Sequence, residues 1–259
     1  MEIRNLSLRY GARELLAGAS ASFRRGEFTA LIGRNGTGKS TLLRAMAGLG
    51  ATGGGSIEIG GRSISSYTAA ELASTVAFVS TERIRIANLR VRDAVALGRT
   101  PYTDWLGRLS AEDNARIDEA VGLVGIGPLA DKSMDRLSDG ERQRVMIARA
   151  LAQDTPVILL DEPTAFLDLP GKYETSVLLR RLAREHGRCI ICSTHDLSVA
   201  LQTCDNVSLL DGGRLVTLPV GDMAGSGLLN ALFCDSGLKF DPCSRSILFA
   251  DDCGGGVKV

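Results

Sequence analysis

The sequence predicts an α/β fold, and three observations carry the prediction. Short apolar runs (28–32, 76–79, 157–160 and 189–192) recur with helical stretches between them. Such alternation builds a parallel sheet flanked by helices. The run Phe28–Ile32 leads into a glycine-rich loop that opens a helix, and the run Val157–Leu160 ends in Asp161-Glu162-Pro163. Loop and acids thus both fall at strand ends, where open α/β sheets place their ligands.

Each element follows from a local pattern. Alternation in Ile3, Leu6 and Leu8, and again in Ala21 and Phe23, predicts short antiparallel strands. The helix after the glycine-rich loop runs over 39–47, with Gly48 as its stop. Ile57 and Ile59 mark a short strand between glycines. From 91 to 151 the pattern is helical. Ser110-Ala111-Glu112-Asp113 starts one helix there with a capping serine and an acidic first turn. Ser138-Asp139-Gly140-Glu141 starts another as a capping box and turns Val145, Ile147, Ala148 and Leu151 inward. Val157–Leu160 reads as a central parallel strand, followed by a helix over 171–185 and a strand at Ile190 and Ile191. Residues 207–216 read as a hairpin turning at Gly212-Gly213. Beyond Asp222 the pattern weakens, and 251–259, with three consecutive glycines, reads as a mobile terminus.

At 259 residues the chain is long enough to fold around its own core without disulfides. Thirty basic and thirty acidic residues leave no net charge, so the basic excess of a nucleic-acid binder is missing and no nucleic-acid partner is expected. No run approaches the roughly 18 apolar residues of a membrane helix. The start, Met1-Glu2-Ile3-Arg4-Asn5, lacks the apolar core of a signal peptide, so a cytoplasmic location is expected. Cys189 and Cys192 form a C-x-x-C, but on a strand they point to opposite faces and read as small buried hydrophobes. Cys234, Cys243 and Cys253 lie in a tail too loosely patterned for a metal site.

The chemistry concentrates at the strand ends. Gly33-Arg34-Asn35-Gly36-Thr37-Gly38-Lys39-Ser40 fits G-x-x-x-x-G-K-[ST], with a strand before it and a helix after it. In such a P-loop, backbone N–H groups cradle phosphate oxygens at a helix N-terminus. Lys39 is expected to reach the β- and γ-phosphates of ATP, and the Ser40 hydroxyl to ligate Mg²⁺. Asp161 is the acid expected to face that metal, and Glu162 the one to orient or deprotonate water. His195 stands at another strand end, either hydrogen-bonding a γ-phosphate or packing as a capping histidine. His186 reads as solvated at a helix end.

Leu137-Ser138-Asp139-Gly140-Glu141-Arg142-Gln143 resembles the signature sequence of the ATP-binding cassette (ABC) family. With the P-loop, Asp161-Glu162, Leu167-Asp168 and Ser193-Thr194-His195, five motifs stand in that family's order, and the likeness extends over about residues 3–217. The resemblance implies a P-loop NTPase (RecA-like) core with a small antiparallel β subdomain and an inserted helical subdomain at about 86–152. Residues 1–220 would form the ATP-binding domain and 221–259 a partly flexible extension. Two copies would pack head to tail, each ATP lying between one chain's P-loop residues, Gly33 to Ser40 with Thr41, and the other's Ser138 and Gly140. Tyr10 matches the family's adenine-stacking aromatic; a core tyrosine is the alternative.

Three departures from the family pattern stand out. Asp139 replaces a glycine and would repel phosphate unless its side chain turns away. Phe166 replaces a small residue. The glutamine that follows the strand at 76–79 is missing; Thr81 occupies its place, and either Thr81 or Glu82 is expected to substitute as a metal-site contact, Glu82 being preferred.

The stretch 91–102 is similar to importers of iron-siderophores, haem and cobalamin. The resemblance implies integral-membrane permease subunits as partners, a substrate-binding protein indirectly, and a place on the cytoplasmic face of the inner membrane. A soluble ATPase of iron–sulfur assembly and an exporter motor are the alternatives. Trp105, the only tryptophan, is expected to be buried rather than exposed at a partner contact.

Overall fold

A computed structural model describes residues 1–81, 88–233 and 236–249. The chain opens with a hairpin, β1 (Glu2–Tyr10) and β2 (Arg13–Ser22), paired antiparallel from Tyr10 and Arg13 back to Glu2 and Ser22. Both strands are longer than the short ones expected. The spacing of Ile3 and Leu6 breaks a strict period of two, yet both are buried. Register shifts between them, with Asn5 at φ 48°, restore the alternation in the manner of a bulge.

β3 (Phe28–Ile32) leads through the glycine-rich loop into α1 (Lys39–Met46), after which Gly48 takes a positive φ of 71°. β4 (Gly54–Ile59) and β5 (Arg62–Ser63) complete a four-stranded antiparallel sheet of order β2-β1-β4-β5. α2 (Ala69–Ala73), capped by Thr68 and Glu71, precedes β6 (Val76–Val79). The helical insertion holds α3 (Val91–Ala96), a 3₁₀ segment (Leu97–Tyr102), α4 (Ala111–Leu123) and α5 (Asp139–Ala152). The chain then alternates β7 (Val157–Leu160), α6 (Leu169–Glu185), β8 (Cys189–Ser193) and α7 (Leu197–Thr203). β9 (Asn206–Asp211) and β10 (Arg214–Pro219) form the expected hairpin, with Gly212 and Gly213 both at positive φ.

The second sheet has order β10-β9-β3-β8-β7-β6 and is parallel except for β10. Its apolar strands still obey a period of two, because each face meets a different core. Phe28, Ala30, Ile158, Leu160, Ile190 and Cys192 belong to the core that α6, α7 and the helical insertion share, with α6 lying against β3 and β8. Leu31, Val157, Leu159, Cys189 and Ile191 pack with α1 and the antiparallel sheet. The two cysteines of the C-x-x-C are accordingly buried on opposite faces. Among the described residues no cluster of metal-binding side chains occurs.

The 3₁₀ segment closes the end of α5. Helix ends leave carbonyls without intrahelical partners. Arg99 donates to the Ala152 carbonyl at 2.8 Å, and the Tyr102 hydroxyl to that of Gln153 at 2.9 Å. Arg99 also pairs with Asp113 at 2.8 Å, both side chains buried, and stacks 3.9 Å from the centre of the Tyr102 ring. Asp113 in turn accepts from the Ser110 amide at 2.8 Å in the cap of α4.

One expectation changes. Trp105 is 91% exposed, not buried, because it lies in the short turn between the 3₁₀ segment and α4, where no core element covers it. Beyond Asp222, where the pattern weakens, structure continues: α8 (Val220–Gly225), a 3₁₀ turn (Leu228–Phe233) and a hairpin of β11 (Leu238–Asp241) and β12 (Ser246–Phe249). Val220, Met223, Leu229 and Phe240 join the core shared with the helical insertion. Cys234, Cys253 and the terminus 251–259 lie outside the described residues. No helix among the described residues is long and apolar enough to cross a membrane.

Candidate active site

Parallel register brings the carboxyl ends of β3, β6, β7 and β8 to one edge. Leu31 pairs with Ser193, Leu160 with Cys192, and Val79 with Leu160. The P-loop, Ser80-Thr81, Asp161-Glu162 and Thr194-His195 therefore meet there.

Gly38 caps α1 at φ 107°, a left-handed conformation that strains any residue with a Cβ, and its own Cβ position lies 3.0 Å from Leu15. This turn points the following amides out of the helix end. Lys39 is buried and folds back along the loop, donating to the carbonyls of Gly33 at 2.8 Å and Arg34 at 3.1 Å. The Arg34 carbonyl also accepts from the Thr37 hydroxyl at 2.9 Å. Burial pulls the Lys39 ammonium below the usual lysine range, and the Glu162 and Asp161 carboxylates partly offset that pull.

Ser40 Oγ donates to Asp161 Oδ1 at 3.0 Å. The same carboxylate oxygen accepts from Ser193 Oγ at 2.7 Å, and Ser193 Oγ accepts from the Glu162 amide at 2.8 Å. Glu162 sits at φ 49°, and its carboxylate hydrogen-bonds His195 Nε2. Asp196, next in the chain, caps α7 and pairs with Lys172 of α6 at 3.0 Å. Tyr10, Asn35, Gly36, Gly38, Lys39, Ser40, Thr41, Glu162 and His195 line one open cavity of about 460 Å³, joined by Arg13 and Leu15. Tyr10 is 74% exposed, so its ring is free of the core that the alternative reading requires.

Ser138 and Gly140 lie elsewhere, in a cleft of about 720 Å³ bordered by Phe166 and Asp168. Ser138 Oγ accepts from the Glu141 amide at 3.2 Å, and Glu141 accepts from the Ser138 amide at 2.8 Å. Asp139 turns back along its helix to pair with Arg142 at 2.8 Å, which answers the charge it brings to this helix start. Thr81 is exposed and lines a narrow cleft with Glu162, Gln143 and Phe166. Glu82 lies outside the described residues.

Sequence reasoning quoted Ser193 only within a motif and gave it no role of its own, and it passed over Arg13. Ser193 was legible as the one hydroxyl in a strand of Cys-Ile-Ile-Cys, where burial demands partners. Arg13 had no motif to mark it; it reaches the cavity because the β1–β2 turn sets it opposite Tyr10.

A lysine-bearing phosphate cradle beside an Asp–Glu pair is the working arrangement of the P-loop nucleoside triphosphatases. Residues 16–165 match the ABC transporter family model. The achromobactin transport ATP-binding protein of Dickeya dadantii is 40% identical over 79% of this chain and 76% of its own. The petrobactin import ATP-binding protein of Bacillus subtilis is 36% identical over 90% of this chain and 92% of its own. Among solved structures, a transporter described as of metal-chelate type, in an inward-facing conformation, superposes with a TM-score of 0.79 at 27% identity, over 90% of this chain and 88% of that one. A dimeric bacterial ABC transporter cassette gives 0.71 at 27% identity, over 85% and 98%. The chain belongs to the ABC transporter family and is its ATP-binding, ATP-hydrolysing cassette.

Proposed function

We propose that this chain powers a membrane importer of a metal chelate, in the class of iron-siderophores, haem and cobalamin. The observation that carries this reading is its likeness, along 79–90% of the chain, to ATP-binding proteins named for achromobactin transport, petrobactin import and siderophore transport. The petrobactin relative matches nearly end to end, so the likeness covers the helical insertion and part of the C-terminal segment as well as the nucleotide motifs. The chain works at the cytoplasmic face of the membrane, docked on permease subunits that span it, with a substrate-binding protein delivering the cargo.

The site supports a division of labour within this reading. P-loop and signature residues line separate clefts of one chain. A second copy, packed head to tail, brings Ser138 and Gly140 of one chain to the nucleotide held by the other. Tyr10 stacks on adenine, the P-loop amides and Lys39 hold phosphates, and Glu162 activates water with His195 beside it. Ser40 and Asp161 offer hard oxygen donors, already within 3.0 Å of each other, and such donors suit Mg²⁺. Bound there with the nucleotide, the ion would neutralise phosphate charge.

The test is to tag the chain in its native cells, solubilise the membranes and identify what co-purifies. The recovered complex, reconstituted in vesicles, is then assayed for ATP-driven uptake of ferric siderophores, haem and cobalamin. A many-helix membrane partner and uptake of one of these chelates is the expected result. A complex with soluble iron–sulfur assembly proteins, or ATP-driven extrusion, would overturn the proposal.

A further inference from the structure

We propose that Ser193 is a positioning residue for ATP hydrolysis, setting both members of the acidic pair through one hydroxyl. It ends β8 and has no exposed surface. A hydroxyl has one proton to donate and lone pairs to accept. Here the proton goes to Asp161 Oδ1 at 2.7 Å, and a lone pair takes the Glu162 amide at 2.8 Å. The two bonds fix the rotor and tie the ends of β7 and β8 together just beyond their last ladder pair, Leu160 with Cys192.

Each bond bears on a group the reaction uses. Asp161 Oδ1 is held from one side by Ser40 at 3.0 Å and from the other by Ser193, so the carboxylate cannot swing away when the Ser40 hydroxyl is recruited elsewhere. Glu162 stands at φ 49°, where residues other than glycine are uncommon. Its amide is pinned by Ser193, and its carboxylate is hydrogen-bonded to His195 two residues along. Backbone and side chain of Glu162 are thus gripped by the same strand end.

The inference rests on the roles assigned above to Asp161 and Glu162, and the experiment separates the two. The full-length protein is assayed for kcat and KM of ATP hydrolysis and for equilibrium binding of a fluorescent ATP analogue, with and without Mg²⁺. Removing an outer partner of a metal ligand typically lowers metal affinity or activity about 10–100-fold. Ser193→Ala is expected to lower kcat in that range and to weaken binding with Mg²⁺ while leaving Mg²⁺-free binding unchanged. Ser193→Cys keeps the volume but bonds weakly and should match Ser193→Ala; Ser193→Thr keeps the hydroxyl and should recover most of the loss. Should Ser193→Ala fail to fold, the Cys and Thr pair decides the matter. Wild-type kcat and Mg²⁺ response in Ser193→Cys, or equal loss of binding with and without Mg²⁺, would overturn the proposal. Glu162→Gln runs alongside: if it still hydrolyses ATP at the wild-type rate, the site assignment itself has failed.

Discussion

Removing the guanidinium of Arg99 isolates what the 3₁₀ segment contributes to the helical insertion. In Arg99→Met the aliphatic stem is roughly replaced, but three contacts are lost together. These are the ion pair with Asp113, the bond to the Ala152 carbonyl and the stacking on Tyr102. The side chains of the pair are only 6% and 5% exposed, so water does not take over. Breaking a buried pair from one side typically costs about 3–5 kcal/mol, because the partner charge stays behind. Asp113 keeps its bonds from the Ser110 amide and hydroxyl, which places the expected loss at the lower end, about 3 kcal/mol. For a chain of this size that lowers the melting temperature by about 6–12 °C. Urea titration followed by circular dichroism measures it, and a cycle with Asp113→Asn tests the coupling. A loss under about 1 kcal/mol in Arg99→Met, or strictly additive single effects, would refute the argument, since contacting groups couple by about 0.5–3 kcal/mol.

Three further outcomes are expected. Glu162→Gln should bind ATP but hydrolyse it roughly 10²–10⁴-fold more slowly, and should run as a dimer in size-exclusion chromatography with Mg-ATP; a persistent monomer would count against the head-to-tail reading. Tyr10→Ala should weaken ATP binding by about 1–3 kcal/mol while Tyr10→Phe binds normally, as a stacking ring requires. Burial pushes the thiols of Cys189 and Cys204 from an ordinary 9.0 up to about 11 and about 12. The folded chain therefore keeps protons that the unfolded chain releases. The two thiols leave stability unaffected below pH 9 and lower it as pH rises from there towards 11–12. A thermal-melt series should show a shallower alkaline fall in a Cys189→Ala, Cys204→Ala variant.

The nucleotide-facing edge was legible because its demands are local. A strand, a glycine turn and a lysine at fixed spacing leave the backbone few alternatives, and Gly38 needs the left-handed φ it adopts. The caps at Ser110 and Ser138 were equally local, each a side chain meeting an amide three residues on. Tertiary decisions were not legible. Arg99 and Asp113 are 14 residues apart and nothing in either neighbourhood announces the other. Trp105 misled because bulk favours burial, whereas a turn between two short elements offers nothing to bury it against. The C-terminal segment hid its core residues in a weak pattern: Met223, Leu229 and Phe240 are too far apart to show a period, yet all three reach the same cluster.

The opposed thiols of β8 have a practical consequence. A strand that shows one cysteine to each core carries two reporters of opening, native to the chain. Cys189 becomes accessible to a thiol reagent when the face against α1 and the antiparallel sheet separates, Cys192 when the face against α6 and α7 does. Residue-resolved labelling in native buffer thus measures the opening free energy of each face separately. Equal rates identify a sheet that lets go as one unit; a faster Cys192 identifies the α6 and α7 side as the half that breathes.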